Sequence, residues 1–146
     1  MIKIAHRGNV DGPSILENSP GFLLDAIQKG FDIEVDVRYI NNQWYLGHDI
    51  PSYPVGDMFM DQIKTNAWIH CKNLEALERL DKTNYKFFWH QNDDFTLTSN
   101  GYIWTYPGKN VTSKSIIVDL DLKYNYNNIY GICSDYVNIL KHESIQ

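Results

Sequence analysis

The chain has 146 residues and a formal net charge of −5, with 43% hydrophobic and 14% aromatic residues. This length predicts one domain over residues 1–146, large enough to bury a single core. The acidic balance excludes sequence-independent binding of nucleic acids, which requires clustered Lys and Arg. A small phosphate ester stays compatible with the charge if a metal ion supplies the missing positive charge.

Cysteine content and the absence of long apolar runs indicate where the protein resides. Cys71 and Cys133 are too few for a disulfide framework, and we expect both to be buried thiols. The N-terminus lacks a basic segment followed by an apolar one, and no run approaches the ~20 apolar residues of a membrane span. The sequence therefore predicts a cytoplasmic protein without a membrane span.

Strands and helices alternate along the first half of the chain, which favours parallel βα units. A Ser-Pro pair is typical of a helix start, and Gly and Asn are typical of helix ends and caps. The predicted strands cover residues 1–5, 31–38, 44–47 and 67–72. The predicted helices run from Ser19 and Pro20 to Gly30, over residues 57–64, and onward from Asn73.

The second half predicts strands with little room for helices between them. The strands cover residues 85–91, 102–106, 115–118 and 130–134, with a turn at residues 100–101 and a short helix from about Asp135. The pattern predicts an α/β fold that is a reduced or incomplete TIM-type (β/α) barrel. Its missing outer helices leave a flank that a homodimer would cover.

Charged and apolar residues alternate from Asp32 to Arg38, so that Glu34 and Asp36 share one face of a strand. In an ordinary half-solvated strand this face lies in water. In a barrel it points inward, where two carboxylates suit a divalent cation with oxygen ligands, Mg²⁺ or Ca²⁺. Three further polar residues, His6, Arg7 and His48, also follow predicted strands, and the carboxyl ends of barrel strands form the active face.

Six short motifs stand in a fixed order in this chain. They are His6-Arg7-Gly8, Glu17-Asn18-Ser19, residues 26–30, residues 32–37, Gly47-His48-Asp49 and residues 131–136. The set resembles the glycerophosphodiester phosphodiesterase family, within the phospholipase-C-like phosphodiesterase superfamily. The detailed match covers residues 1–50 and a short C-terminal stretch.

This resemblance implies a metal-dependent phosphodiester hydrolase of lipid metabolism that acts on a glycerophosphodiester or a similar small phosphodiester. It implies general acid–base catalysis by His6 and His48, with Arg7 on the phosphate. Glu34 and Asp36 would ligate the divalent metal. Glu17 would orient Arg7 or contact the metal.

The chain also departs from the family. It is short and lacks the insertion that caps the site in longer members. His70 stands where the family has a third metal-binding carboxylate, and Lys72 is kept. As a ligand His70 would favour Mn²⁺ or Zn²⁺, and otherwise it is a hydrogen-bonded core residue. Lys72, His90 and Trp104 are candidate substrate contacts; alternatively His90 is structural and the aromatic residues fill a small barrel.

Two alternative functions stay open at this point. One is a non-catalytic relative that binds a phosphorylated ligand or a glycan in the same pocket. The other is a lyase-type phosphodiesterase that releases a cyclic phosphate. The replaced carboxylate and the missing cap favour the binding protein.

Overall fold

The computed structural model describes residues 1–143, with side chains up to residue 140. Within them the strands are β1 (Ile2–His6), β2 (Asp32–Ile40), β3 (Gln43–Leu46), β4 (Tyr53–Val55), β5 (Ala67–Cys71), β6 (Lys86–Phe88), β7 (Phe95–Leu97), β8 (Ile103–Thr105), β9 (Ser115–Val118) and β10 (Gly131–Ser134). The helices are α1 (Pro20–Gln28), α2 (Asp57–Ile63), α3 (Leu74–Leu80) and α4 (Val137–Glu143).

Parallel pairing connects β6, β5, β2, β1, β10, β9 and β8 in that order. The long strand β2 pairs with β1 and with β5, and its far end continues into an antiparallel ribbon with β3 and β4. The antiparallel strand β7 lies beside β8, and just beyond it the Ser99 amide donates to the Phe87 carbonyl of β6 at 2.8 Å. The fold is thus mixed α/β with a curled sheet, compatible with a partial barrel.

The two faces of β2 separate the outer and inner packing of the sheet. Ile33, Val35 and Val37 are fully buried in the cluster that joins the sheet to the helices, together with residues such as Leu23 and Ala76. The polar residues of β2 face the other way, into the concave side of the sheet. The predicted inward direction of the charged face follows from this two-residue period.

Aromatic side chains fill the concave side of the sheet in the part of the fold where the strands are not followed by helices. No helix lies between residues 89 and 130, all of which the structure describes. Instead, the rings of Phe88 and Trp104 stack with centroids 4.5 Å apart, and Trp68 lies 6.3 Å from Trp104. Large rings thus supply the buried apolar area that outer helices would otherwise cover.

The predicted elements are confirmed apart from their ends, except that β4 and β7 were not predicted. The strand predicted over residues 85–91 is shorter and stops at Phe88. Ser19 does precede α1, but its side chain makes no capping hydrogen bond, whereas Asn73 accepts one from the Ala76 amide. Gly30 follows the last helical residues with a φ of +96°, which favours glycine.

Two expectations from the composition can also be compared with the structure. Cys71 and Cys133 are both buried free thiols. Among the described residues, no helix has both the length and the apolar character that crossing a bilayer requires.

We expect Ile69→Ala to lower the free energy of unfolding by about 2–5 kcal/mol, because Ile69 is fully buried and truncation leaves a cavity. Ile15→Ala is the matched control, since Ile15 is 97% exposed, and should change it by less than about 0.5 kcal/mol. Urea unfolding followed by circular dichroism measures both. Equal effects of the two substitutions would contradict the packing described here.

Candidate active site

Strands β1, β2, β5, β8 and β9, or the residues that directly follow them, line one cavity of about 200 Å³. Its lining combines ionisable side chains with aromatic and aliphatic ones. It is lined by His6, Arg7, Glu34, Asp36, His48, His70, His90, Trp104, Tyr106, Val118 and Leu120. Strand ends far apart in the chain thus contribute to one polar site, as expected for parallel strands.

Glu34 and Asp36 are the most deeply buried charged groups in the cavity, with 3% and 0% of their surface exposed. Burial and the neighbouring Asp36 charge raise the pKa of Glu34 to about 7. Burial also acts to raise the pKa of Asp36, but the nearby His70, 3.4 Å away, and a hydrogen bond from Asn18 outweigh it and hold that pKa below its usual value. Two adjacent buried carboxylates cannot both ionise cheaply without added positive charge.

Arg7 supplies one such charge. Its Nε lies 3.3 Å from Oδ2 of Asp36, and its Nη1 lies 3.2 Å from Oε2 of Glu17. The chain turns sharply here, with φ of +55° at Arg7 and +89° at Gly8. A Cβ at Gly8 would also lie 2.8 Å from the ring of Phe22, so both the backbone angle and the space favour glycine.

His6 is oriented by Asp135, which follows β10. Nδ1 of His6 lies 2.7 Å from Oδ1 of Asp135, and Nε2 lies 3.8 Å from Oε2 of Glu34. Burial acts to lower the pKa of His6, but the Asp135 hydrogen bond and the Glu34 charge outweigh it and raise the pKa. Because a carboxylate can only accept, Nδ1 carries the hydrogen and Nε2 is the nitrogen on the Glu34 side.

His48 reaches the cavity from the turn after β3. Arg38 holds this turn, since its guanidinium donates to the carbonyls of Gly47 and His48. Gly47 has a φ of +146°, and a Cβ there would collide with the Ile50 carbonyl oxygen. Nδ1 of His48 lies 2.7 Å from Oδ1 of Asp49, and the His48 side chain is 39% exposed, so this imidazole is open to solvent.

His70 lies between the two carboxylates and one backbone carbonyl. Its Nδ1 is 3.4 Å from Oδ1 of Asp36 and 3.8 Å from Oε1 of Glu34. Ligand atoms of these three residues lie within 4.8 Å of one another. In the part of the chain that the structure describes, the buried Oδ1 of Asp36 has no hydrogen-bond partner. An unpaired anionic oxygen in such a group fits a divalent cation.

The other predicted site residues have different surroundings. Both oxygens of Glu17 are engaged, one by Arg7 and one by Asn9, so Glu17 lies against Arg7 and outside the three-residue metal group found among the described residues. Lys72 is not among the lining residues of the described cavity; its amide donates to the Val37 carbonyl.

The two predicted aromatic contacts both line the cavity. Trp104 is only 6% exposed and belongs to the inner core. His90 lies against Tyr106, with ring centroids 4.6 Å apart, and within residues 1–143 both of its ring nitrogens are buried without a hydrogen-bond partner. Burial and the His70 charge lower the pKa of His90. Trp104 therefore contributes mainly packing, and His90 keeps two unused nitrogens.

Three residues that hold the predicted site residues in place were not themselves predicted. Asp135 orients His6, Arg38 holds the His48 turn, and Asn18 donates to Oδ2 of Asp36 while accepting from the Asp36 amide. Asp135 follows a predicted strand, so the rule that selected His6 and Arg7 could have found it. Arg38 lies on the same alternating face as Glu34 and Asp36, and Asn18 lies in the Glu17-Asn18-Ser19 motif, but neither pattern predicts these contacts.

None of the protein-family models, curated proteins or solved structures compared with the chain matches it. The resemblance to glycerophosphodiester phosphodiesterases therefore depends on the motif residues. The geometry of the cavity is an independent observation.

Metal affinity should rise with pH between about pH 6 and about pH 8, because a ligand must lose its proton to bind and the pKa of Glu34 is about 7. Calorimetric titration in buffers of different ionisation enthalpy would measure the affinity and the protons released. Glu34→Gln is the control; it cannot hold this proton and should bind more weakly with a flatter pH dependence. Constant affinity of the unmodified protein over this range would contradict the prediction.

Proposed function

We propose that this protein is a metal-dependent phosphodiesterase that hydrolyses a glycerophosphodiester or a similar small phosphodiester on a reduced TIM-type barrel of the phospholipase-C-like kind. The observation that carries the proposal is the convergence of His6, Arg7, Glu34 and Asp36 on one small cavity at adjacent strand ends. These four residues belong to the motifs that resemble the family. The cavity of about 200 Å³ is smaller than most small-molecule pockets, so it would hold the phosphate group rather than the whole phosphodiester.

Glu34, Asp36 and His70 would hold the metal ion, since they form the group of buried ligand atoms. When bound, a divalent ion supplies positive charge that offsets the negative charge of the phosphoryl oxygens. Arg7 would hold another phosphoryl oxygen, because a guanidinium is permanently charged and its planar donors match phosphate geometry. Glu17 would keep Arg7 in place through their contact at 3.2 Å.

His6 is the better candidate for the general base. With Nδ1–H donated to Asp135, its Nε2 can take the proton of a water molecule or substrate hydroxyl as that oxygen attacks phosphorus. His48 would give a proton to the departing alcohol as its bond to phosphorus breaks. Its open position in the cavity suits this role, because the alcohol must leave toward solvent.

A shallow cleft of about 230 Å³ next to the main cavity supports the proposal that the alcohol leaves on the His48 side. This cleft shares Arg7 and His48 with the main cavity and runs between the loops after β1 and β3. Ser14, Glu17 and Ser52 line it, so it offers polar groups to an alcohol with several hydroxyls.

A second candidate is a non-catalytic protein that binds a phosphorylated ligand, and His70 is the observation that favours it. A protonated His70, 3.4 Å from Asp36 and 3.8 Å from Glu34, would itself neutralise the buried carboxylates. The pocket would then hold a phosphate through Arg7 without a metal ion.

Hydrolysis of bis-p-nitrophenyl phosphate separates these candidates. We expect release of p-nitrophenol with a suitable divalent metal, its loss with EDTA, and a fall of about 100- to 10,000-fold in His6→Ala, which lacks the general base. Asp25→Asn is the control, since Asp25 lies in an exposed ion pair with Lys29, and it should keep full activity. No release with Mg²⁺, Ca²⁺, Mn²⁺ or Zn²⁺ would favour the binding protein.

Phosphorus NMR of the reaction with glycerophosphocholine identifies the product. We expect a phosphate monoester without accumulation of a cyclic phosphate, because the open His48 side leaves room for water to enter. Controls without enzyme and with His6→Ala should show no product. A cyclic phosphate that persists after the substrate is consumed would favour the lyase-type reaction instead.

A further inference from the structure

His70 is the chain's departure from an all-carboxylate metal site, and its two ring nitrogens have different partners. Nδ1 faces the carboxylates, at 3.4 Å from Asp36 and 3.8 Å from Glu34. Nε2 lies 3.2 Å from the backbone carbonyl oxygen of His90. Both sides of the imidazole are therefore occupied by oxygen atoms.

The His90 carbonyl decides which nitrogen carries the hydrogen. A carbonyl oxygen can only accept, so Nε2 must donate to it. In a neutral imidazole Nδ1 is then left with its lone pair directed at Asp36 and Glu34. A backbone carbonyl that fixes the tautomer of an imidazole in this way is the usual support for a metal-binding histidine.

In this tautomer the lone pair of Nδ1 is directed at two carboxylates, and the imidazole places no hydrogen atom between them. Asp36 is completely buried, and among residues 1–143 its Oδ1 finds no hydrogen-bond partner. Three converging acceptors repel one another unless a cation lies between them. The arrangement is therefore best satisfied by an ion that accepts one nitrogen and two oxygen ligands.

We propose that this site selects a divalent ion that binds imidazole well, such as Zn²⁺, Co²⁺ or Mn²⁺, over Mg²⁺ and Ca²⁺, with Nδ1 of His70 as a ligand. Mg²⁺ and Ca²⁺ prefer oxygen ligands, whereas first-row transition metals accept imidazole. The inference deepens the proposed function, because it specifies the metal that the same site takes.

The test compares the metal affinities of the unmodified protein with those of His70→Glu and His70→Gln. Competition with a chelating dye gives affinities for Zn²⁺, Co²⁺, Mn²⁺, Mg²⁺ and Ca²⁺ without any need for turnover. We expect the unmodified protein to prefer Zn²⁺ and Co²⁺ over Mg²⁺ by roughly 100-fold or more. His70→Gln should lose about 10- to 100-fold in Zn²⁺ affinity, and His70→Glu should shift the preference toward Mg²⁺ and Ca²⁺.

Nitrogen-15 NMR of the unmodified protein gives a second readout that does not depend on how well the variants fold. Nδ1 of His70 should lack a hydrogen before Zn²⁺ is added, and its resonance should shift strongly on binding while Nε2 stays protonated. Two protonated ring nitrogens with Zn²⁺ bound elsewhere would overturn the inference. So would equal affinities of the unmodified protein and a folded His70→Glu for every ion.

Failure of this inference can be distinguished from failure of the proposed function. If the protein selects Zn²⁺ through His70 but hydrolyses no phosphodiester, the inference about the metal site stands and the proposed enzymatic function is wrong. If Mg²⁺ supports hydrolysis and hydrolysis persists in His70→Gln, the proposed enzymatic function stands and the inferred metal selectivity is wrong.

Discussion

Two carboxylates buried side by side on one strand are the constraint on which this site depends. Glu34 and Asp36 have almost no contact with solvent, and each makes ionisation of the other harder. Arg7, Asn18 and His70 approach them from three other segments of the chain and supply charge or hydrogen bonds. Burying two like charges side by side lowers the stability of the fold, and buried ionisable groups with strongly shifted pKa values are typical of functional sites.

The fold divides this task between two halves of the curled sheet. Helices α1, α2 and α3 cover the half that contains β1, β2 and β5, so the apolar faces of these strands pack outward and their polar residues are free to face inward. The other half, in which no helix lies between residues 89 and 130, is closed by aromatic rings such as Phe88 and Trp104. Aromatic packing thus closes the core beneath the site without a complete set of outer helices.

Prediction from sequence was accurate where the side-chain periodicity within one strand or helix determines the structure. It was less accurate where contacts between distant parts of the chain determine it. The alternation from Asp32 to Arg38 predicted that Glu34 and Asp36 share one face, and the expected barrel predicted that this face points inward. Strands β4 and β7 were not predicted, because β4 contains Pro54 and β7 is largely exposed, whereas the equally short β6 and β8 lie within longer apolar runs. Motif position alone left two roles open for Glu17, which contacts Arg7 and Asn9 in the structure. Lys72 was predicted as a substrate contact, but a residue beyond the end of a strand has no face that alternation can predict.

The sequence by itself determined the strand ends that carry His6 and Arg7 and the face that carries the acids, because both follow from periods of a few residues. Only the tertiary structure decided that Asp135 meets His6 from 129 positions away, since this contact requires β10 to pair with β1. It also decided that Nε2 of His70 lies 3.2 Å from the backbone carbonyl oxygen of His90. Contacts of this kind depend on strand order and on non-repeating backbone geometry, and neither leaves a local pattern in the sequence.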